Sequence, residues 1–378
     1  MTHADTSRLL LSQPLSRPHP RSVFGETNAC SAPRSVSILI NNFNYCSFVR
    51  AAIESALDQT RAAQVIVVDD GSSDGSKEQI ASFGGRILSV FQPNGGQASA
   101  MNHGIRLATG DLVVFLDSDD LLESHAVERL LDLWRPATVL GQFPLTILDA
   151  DGRSCGVYPD PPGTQLADGD VRSELLTAGS FPTNVTSGLA FARKALEYVA
   201  PIPERRFRNN PDGYLTRAVA FLGLVQRFDE RLGFYRKHDR NESSVSASPE
   251  GLAAGFRKKI RWADAEFATT LELARRHGLR VAPDLGDNDP NYLGYRLFSV
   301  LLDPDTHPIR NDRRWALLPR YMQKRWRSAW PLHRKIMALT MAATATASPY
   351  RLSAMLIRWL HDSASRPAWL RALAPKRT

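Results

Sequence analysis

From residue 35 onward the chain alternates two hydrophobic rhythms. The run Val36-Ser-Ile-Leu-Ile-Asn41 is short, apolar and β-branched, whereas 46–58 carries Val49, Ile53, Ala56 and Leu57 at three- and four-residue spacing. The first is predicted as a strand and the second as a helix. The unit then repeats: a strand over 64–70, a Gly/Ser turn and a helix from about Asp74, a strand over 86–92, and a helix marked by Ala98, Met101, Ile105 and Ala108. A fourth strand over 111–117 leads into a helix expected near Glu123 to Trp134. Apolar strands alternating with helices imply an α/β fold with a mostly parallel sheet and right-handed crossovers, placed here at about 35–240.

Ligands of open sheets of this kind sit beyond the carboxyl ends of the strands. Strand one ends at Asn41 and Asn42, strand two at Asp69 and Asp70, and strand four at Asp117, Ser118, Asp119 and Asp120. Three carboxylates within four positions repel one another and resist leaving water. Asp117 and Asp119 are hard oxygen ligands suited to Mg2+ or Mn2+, which commonly takes one or two carboxylates and completes its shell with water and phosphate oxygens. The alternative for Asp119 or Asp120 is a cap on the following helix, worth about 1 kcal/mol. Asp70 is placed to accept from a base imide or a ribose hydroxyl, with a plain turn as the alternative; Asp74 reads as a helix cap.

Composition narrows the class without naming a reaction. The chain has 378 residues, 43% of them hydrophobic and 23% charged, as in an ordinary globular protein. Residues 1–34, rich in Pro, Ser and Arg, read as a disordered leader without the apolar core of a signal peptide. Cys30, Cys46 and Cys155 lack metal-site spacing and suit a reducing compartment. The longest apolar run, near 336–347, is too short to span a bilayer. The net charge of +8 is a property of the tail, because 313–378 holds fourteen Lys/Arg and one acid.

The stretches "VSILINNFNYCSFVRAAIESALDQT", "VIVVDDGSSDGS", "NGGQASAMNHGIRLATGD" and "VVFLDSDDLL", in this order, resemble the nucleotide-binding half of family 2 glycosyltransferases. The resemblance implies the GT-A (Rossmann-like) fold, a mostly parallel mixed sheet flanked by helices, here with a C-terminal helical extension. It implies a nucleotide-diphosphate sugar donor, usually a UDP-sugar, held by Asn41, Phe43, Asn44, Asp70, Asn102, Asp117 and Ser118, with a divalent cation at Asp117 and Asp119. Thr or Ser at 41 and Tyr at 43 are usual in the family, so Asn41 and Phe43 remove a hydroxyl. Asp212, ahead of the stripe Leu215, Ala218, Val219 and Leu222, matches the family's catalytic base, although Pro211 replaces the usual acidic neighbour. A helix cap is the bland role for Asp212. "RLGFYRKHDRNESS" resembles the family's edge strand and Arg-x-His element, from which Arg236 and His238 would meet the departing diphosphate; a solvated basic loop is the alternative.

The domains expected are thus a catalytic domain over 35–245, with a nucleotide-binding half 35–135 and an acceptor half 136–245, and a basic helical region 246–378. The function implied is an inverting, metal-dependent, hexosyltransferase-type enzyme of polysaccharide or cell-envelope synthesis, acting on a glycan or lipid-linked acceptor. The localisation expected is cytoplasmic. In the tail, "RLSAMLIRWLHDSASRPAWLRAL" joins apolar and basic positions in a pattern that suits peripheral contact with an anionic membrane or, alternatively, packing on the catalytic domain. "QKRW" at 323–326 is one residue short of the Gln-x-x-Arg-Trp signature of processive relatives. Two other classes compete: a non-catalytic, nucleic-acid-associated protein using the tail, and a nucleotidyltransferase. The first leaves the clustered aspartates unexplained, so no specific nucleic acid is expected. The second would more often carry a Gly-rich basic phosphate loop.

Overall fold

The computed structural model describes residues 32–149, 151–159, 165–238, 241, 248–328, 330–361 and 365–367. Most of the expected leader, with Cys30, lies outside the described residues, as do Trp369 and most of the 239–247 segment.

The first repeats fold as their periodicity dictates: β1 (Val36–Asn42), α1 (Cys46–Leu57), β2 (Gln64–Asp69), α2 (Ser76–Ala81), β3 (Leu88–Phe91), α3 (Gln97–Leu107) and β4 (Leu112–Asp117). A short strand, β5 (Leu121–Leu122), then delays the next helix, α4 (Ala126–Leu133), beyond its expected start. There follow β6 (Thr138–Gln142), β7 (Leu145–Leu148), β8 (Ser154–Tyr158), α5 (Arg172–Ala178), β9 (Leu189–Ala192), α6 (Arg193–Val199), α7 (Glu204–Phe207), α8 (Pro211–Ala220), β10 (Leu224–Arg227) and β11 (Gly233–Arg236). The C-terminal region is helical: α9 (Pro249–Arg276), α10 (Pro290–Leu302), α11 (Arg314–Arg327), α12 (Leu332–Ala347) and α13 (Tyr350–His361).

The main sheet runs β10-β6-β9-β4-β1-β2-β3. Within it β1, β2, β3 and β4 are parallel, β6 and β10 are parallel, and β9 runs antiparallel between β4 and β6. The expected mixed, mostly parallel sheet is therefore present. A second sheet, β5-β11-β7-β8, stands beside it and was not legible as separate in the sequence. Its strands are two to five residues long, too short to carry a periodic signal. The 233–236 segment, expected as an edge strand, is interior here, between β5 and β7.

Alternation along the strands divides the core. Leu39, Ile66, Val68, Val113 and Phe115 pack with Met101 and Ile105 of α3 and Leu215 and Val219 of α8. Ile38, Ile40, Val65, Val67, Val114 and Leu116 pack on the other face with Val49 and Ile53 of α1 and Val127 and Leu130 of α4. Each such side chain contributes about 1.5–3 kcal/mol, so the register of the central strands is strongly held. That register matters for chemistry, because it pairs Asn41 with Asp117 and Asn42 with Asp69 at the strand ends.

The long helix α9 begins at Pro249, with the Ser248 hydroxyl accepting from Gly251 N–H at 3.1 Å. Its first half packs Leu252 and Phe256 against Leu293, Leu297, Phe298, Tyr321 and Ile357. Its far end places Ala274 in the core under the sheet. Among the described residues no helix is long and apolar enough to cross a membrane.

Candidate active site

Chain order places β2 and β3 on one side of β1 and β4 on the other, so the order reverses between β1 and β4. Asn41 and Asp117 straddle that reversal: Asn41 Nδ2 donates to Asp117 Oδ1 at 3.2 Å, while Asn41 Oδ1 is buried without a partner. Gln97, opening α3, donates to the same Asp117 oxygen at 3.0 Å, and Asp117 N–H donates to Ser187 Oγ at 3.1 Å.

Neither Asp119 nor Asp120 caps a helix, since α4 starts at Ala126 with His125 as its N-cap. The second sheet takes them instead. Asp120 Oδ1 accepts from Arg236 N–H at 2.8 Å, and Asp119 Oδ2 lies 3.0 Å from His238 Nε2 and accepts from Asn241 Nδ2 at 3.1 Å. Burial raises the Asp119 pKa to about 6 against the opposing charge of Arg236. Burial, then the charges of Asp119 and Asp117, hold Asp120 well above the usual carboxylate range, opposed by the Ser187 hydroxyl and Arg236 N–H. Ser118 is buried beside them.

The solvated-loop alternative for 236–238 does not hold. The His238 ring stacks on Phe48 with centroids 4.7 Å apart, and the Arg236 guanidinium sits 5.0 Å from the centroid of that ring. Arg236 Nε is buried and has no hydrogen-bond partner.

Asp212 arrives from another direction. It follows Pro211 in the first turn of α8, and Asn210 is the N-cap, so Asp212 is not the cap residue. Its side chain is largely surrounded by protein yet keeps some accessible surface. Burial, then the negative charges of Asp117 and Glu266, raise its pKa to about 7. Glu266 of α9 accepts from Asn210 Nδ2 at 2.8 Å and pairs with the buried Arg217 of α8 at 2.5 Å. Asp117, Asp120 and Asp212, spread over nearly a hundred positions, thus share one electrostatic neighbourhood.

The remaining predicted residues divide. The Asp70 carboxylate is buried and accepts from Gln92 Nε2 and from Gly95 and Gly96 N–H at 2.7–2.8 Å. It clamps the 92–96 loop. Gly96 has φ +93°, and a Cβ there would stand 2.4 Å from Arg208 Cγ, so the clamp needs glycine. Asn44, with φ 59°, accepts from Ser73 N–H at 2.8 Å and ties the loops after β1 and β2 together. Phe43 is 45% exposed. Asn102 instead spends both ends of its amide on Ile202 and Glu204, pinning the turn before α7. Asp74 serves both helices: one carboxylate oxygen accepts from Cys46 N–H at the start of α1 at 2.9 Å, and the other from Ser76 N–H at the start of α2 at 3.1 Å, although Gly75 occupies the N-cap position of α2.

Sequence reasoning missed Ser187, Gln97, Asn241 and Glu266. Gln97 and Asn241 had a signal, one directly after the quoted Gly-Gly pair and the other inside the quoted 231–244 stretch. Among the described residues no group of three His, Cys, Asp or Glu is placed to hold a metal by protein ligands alone.

With this geometry in hand, three comparisons are informative. A model of the family described as Glycosyl transferase family 2 matches residues 37–197. An uncharacterized glycosyltransferase of Nostoc sp. is 35% identical over 222 residues, covering 56% of this chain and 68% of that protein. An uncharacterized glycosyltransferase of Rickettsia typhi is 37% identical over 99 residues, which is 26% of this chain and only 31% of the relative. Among solved structures, a mannosyltransferase from Pyrobaculum calidifontis in complex with GDP-Man and Mn2+ aligns with TM-score 0.48 and 18% identity over 92% of this chain and 89% of its own.

Proposed function

The chain belongs to glycosyl transferase family 2 and is a glycosyltransferase, and on that premise we propose that it moves a sugar from a UDP-sugar to a hydroxyl of a glycan or lipid-linked saccharide, with inversion. The observation that carries the reading is that the charge of Asp117, at the strand end, acts on both Asp120 and Asp212. Asp117 and the candidate base Asp212 thus lie near enough to repel one another, which is what a shared site requires.

The donor side fits a divalent cation. Burial and the charges of Asp119 and Asp117 raise the pKa of Asp120, and the buried Asn41 Oδ1 beside Asp117 lacks a donor. Asp117 and Asp119 would hold Mg2+ or Mn2+, with water and phosphate oxygens completing the shell; when bound, the ion offsets charge on the departing diphosphate. Phe43 offers an exposed face to the base, and Asp70 keeps the 92–96 loop in place beneath the nucleotide. Arg236 and His238, held against Asp120 and Asp119, add positive charge and a hydrogen-bond donor where the leaving group develops charge.

Asp212 takes the acceptor proton. The acceptor O–H bond breaks toward its carboxylate as the new C–O bond forms at the anomeric carbon, and the bond to the diphosphate breaks on the opposite face. A pKa near the working pH suits a general base. One candidate base, with no second carboxylate among the described residues assigned as a nucleophile, favours inversion.

We assign the reaction to the cytoplasmic face of the cell envelope, in polysaccharide synthesis. Exposed Trp315, Trp326, Leu332 and Ile336 among the Arg and Lys of α11 and α12 support peripheral contact with anionic lipid. The test of the donor assignment is a panel of nucleotide-sugars with and without Mn2+, read by thermal stabilisation and donor hydrolysis. UDP-sugars should stabilise the protein only with the cation; stabilisation by no nucleotide-sugar would overturn the reading.

A further inference from the structure

One face of α9 continues away from Asp212. Glu266 stands at the candidate base, Trp262 one turn toward the N-terminus, and Lys259 and Lys258 about one turn further. Lys258 Nζ lies 4.6 Å from the centroid of Trp262, and Lys259 Nζ lies 5.4 Å from that of Tyr295 on α10. Burial, then the charges of Asp289 and Glu266, raise the Tyr295 pKa, and Arg325 opposes them. The Tyr295 hydroxyl therefore feels the charges of Asp289 and Glu266 and, against them, that of Arg325.

Lys259 is deeply set yet retains accessible surface; burial and the charge of Lys258 lower its pKa, and no carboxylate counters them. Arg325 of α11 is 4% exposed and spends Nη2 on Pro290 O and Asn291 Oδ1; its guanidinium lies 3.9 Å from the centroid of Trp330, and its Nε is buried without a partner. Among the described residues neither Lys259 nor Arg325 makes an ion pair. The same excess acts on His361 at the end of α13, whose pKa is pushed down to about 4 by burial and by the charges of Lys259, Arg325 and Arg366. A desolvated cation without a counter-charge is unfavourable, and an anion entering the cleft would relieve it.

We propose that Lys259, Trp262 and Tyr295 form an acceptor subsite that takes a phosphoryl group, with Arg325 contributing positive charge from behind the wall. The inference rests on the glycosyltransferase reading of Asp212 and adds the substrate class: a phosphorylated saccharide whose phosphate anchors at Lys259, whose sugar lies on the Trp262 face, and whose hydroxyl reaches Asp212. The phosphoryl group belongs to a lipid diphosphate or to a soluble phosphosaccharide, and the test separates these.

The full-length protein in EDTA is titrated calorimetrically with inorganic pyrophosphate and, separately, with monomeric farnesyl diphosphate. Both should bind, and Lys259→Gln should weaken both by roughly tenfold, a loss of one charge-assisted contact. Lys259→Arg, which keeps the charge, should restore most of the affinity. Tighter binding of farnesyl diphosphate assigns the lipid-linked source, and equal binding the soluble one. Failure of both probes to bind at millimolar concentration, or wild-type affinity in Lys259→Gln, overturns the proposal. Mn2+-dependent UDP binding, measured on the same proteins without EDTA, should be unchanged in Lys259→Gln. Its absence from the wild type would remove the glycosyl-transfer reading of the cleft, independently of the pyrophosphate result.

Discussion

Asn41 Nδ2 and Asp117 Oδ1 meet at 3.2 Å across the point where the strand order of the sheet reverses. The bond uses the Asn41 amide nitrogen and leaves its Oδ1 buried and unsatisfied.

Asp212→Asn should retain cation-dependent UDP binding and lose about 10²–10⁴ in turnover, the usual contribution of a positioned base. Single-turnover donor consumption with acceptor present measures it. Unchanged turnover would remove Asp212 from the mechanism.

The pH profile of kcat/KM should show one acid limb at or below about pH 7. Asp212 must be ionised to accept the proton, so activity rises with pH through its pKa, which lies at about 7 in the absence of a cation. A cation beside Asp117 opposes one of the charges that raises it and moves the limb lower. A limb rising above pH 8 would point to another base.

Stability should respond to the same group. The folded pKa of Asp212 is raised from 3.8 to about 7, so the native state binds more protons than the unfolded chain between those values. Its contribution is fully present below about pH 4 and is lost as pH rises through 7. His361 opposes this below its ordinary value of 6.5, because its folded pKa is depressed to about 4. The difference between wild type and Asp212→Asn isolates the aspartate. Urea melts in EDTA should show the wild type losing stability relative to the variant from about pH 4 to 7 and no further above it, and a flat difference across that range would contradict the assignment.

His238→Ala should weaken cation affinity by about 10–100-fold, the usual effect of removing a partner that orients a ligand. It removes the contact to Asp119 Oδ2 and the stack on Phe48. Titration of Mn2+ in the presence of UDP reads the loss, and undiminished affinity would show that Asp119 needs no orientation from β11.

Asp70→Ala should destabilise the fold by about 2–4 kcal/mol, because it strands the Gly95 and Gly96 amides beneath the loop. Chemical denaturation reads the change. A loss under 1 kcal/mol would show that the loop closes without the carboxylate.

The strand and helix rhythm of 36–117 carried most of the fold, because strands buried on both faces leave a continuous apolar run that little else produces. The polar strand ends were legible for the same reason: Asp70 and Asp117 interrupt such runs. What supports them was not. Ser187, His238 and Asn241 reach Asp117, Asp119 and Asp120 from strands and loops 70 to 122 positions away, and short strands such as β5 and β11 leave no periodic trace. Glu266 lies outside every quoted motif, on a helix whose amphipathic pattern announces packing but not its partner. Asn102 sat in a motif resembling a nucleotide site, yet its amide is used on the backbone of Ile202, a contact that local sequence cannot reveal.

The most direct measurement of the central claim is calorimetric titration of UDP into wild type and Asp119→Asn, each with Mn2+ and with EDTA. A cleft in which strand-end carboxylates hold a cation and, through it, a diphosphate predicts wild-type binding that requires Mn2+ and weakens at least tenfold in Asp119→Asn. UDP binding that ignores both the cation and the substitution would contradict it.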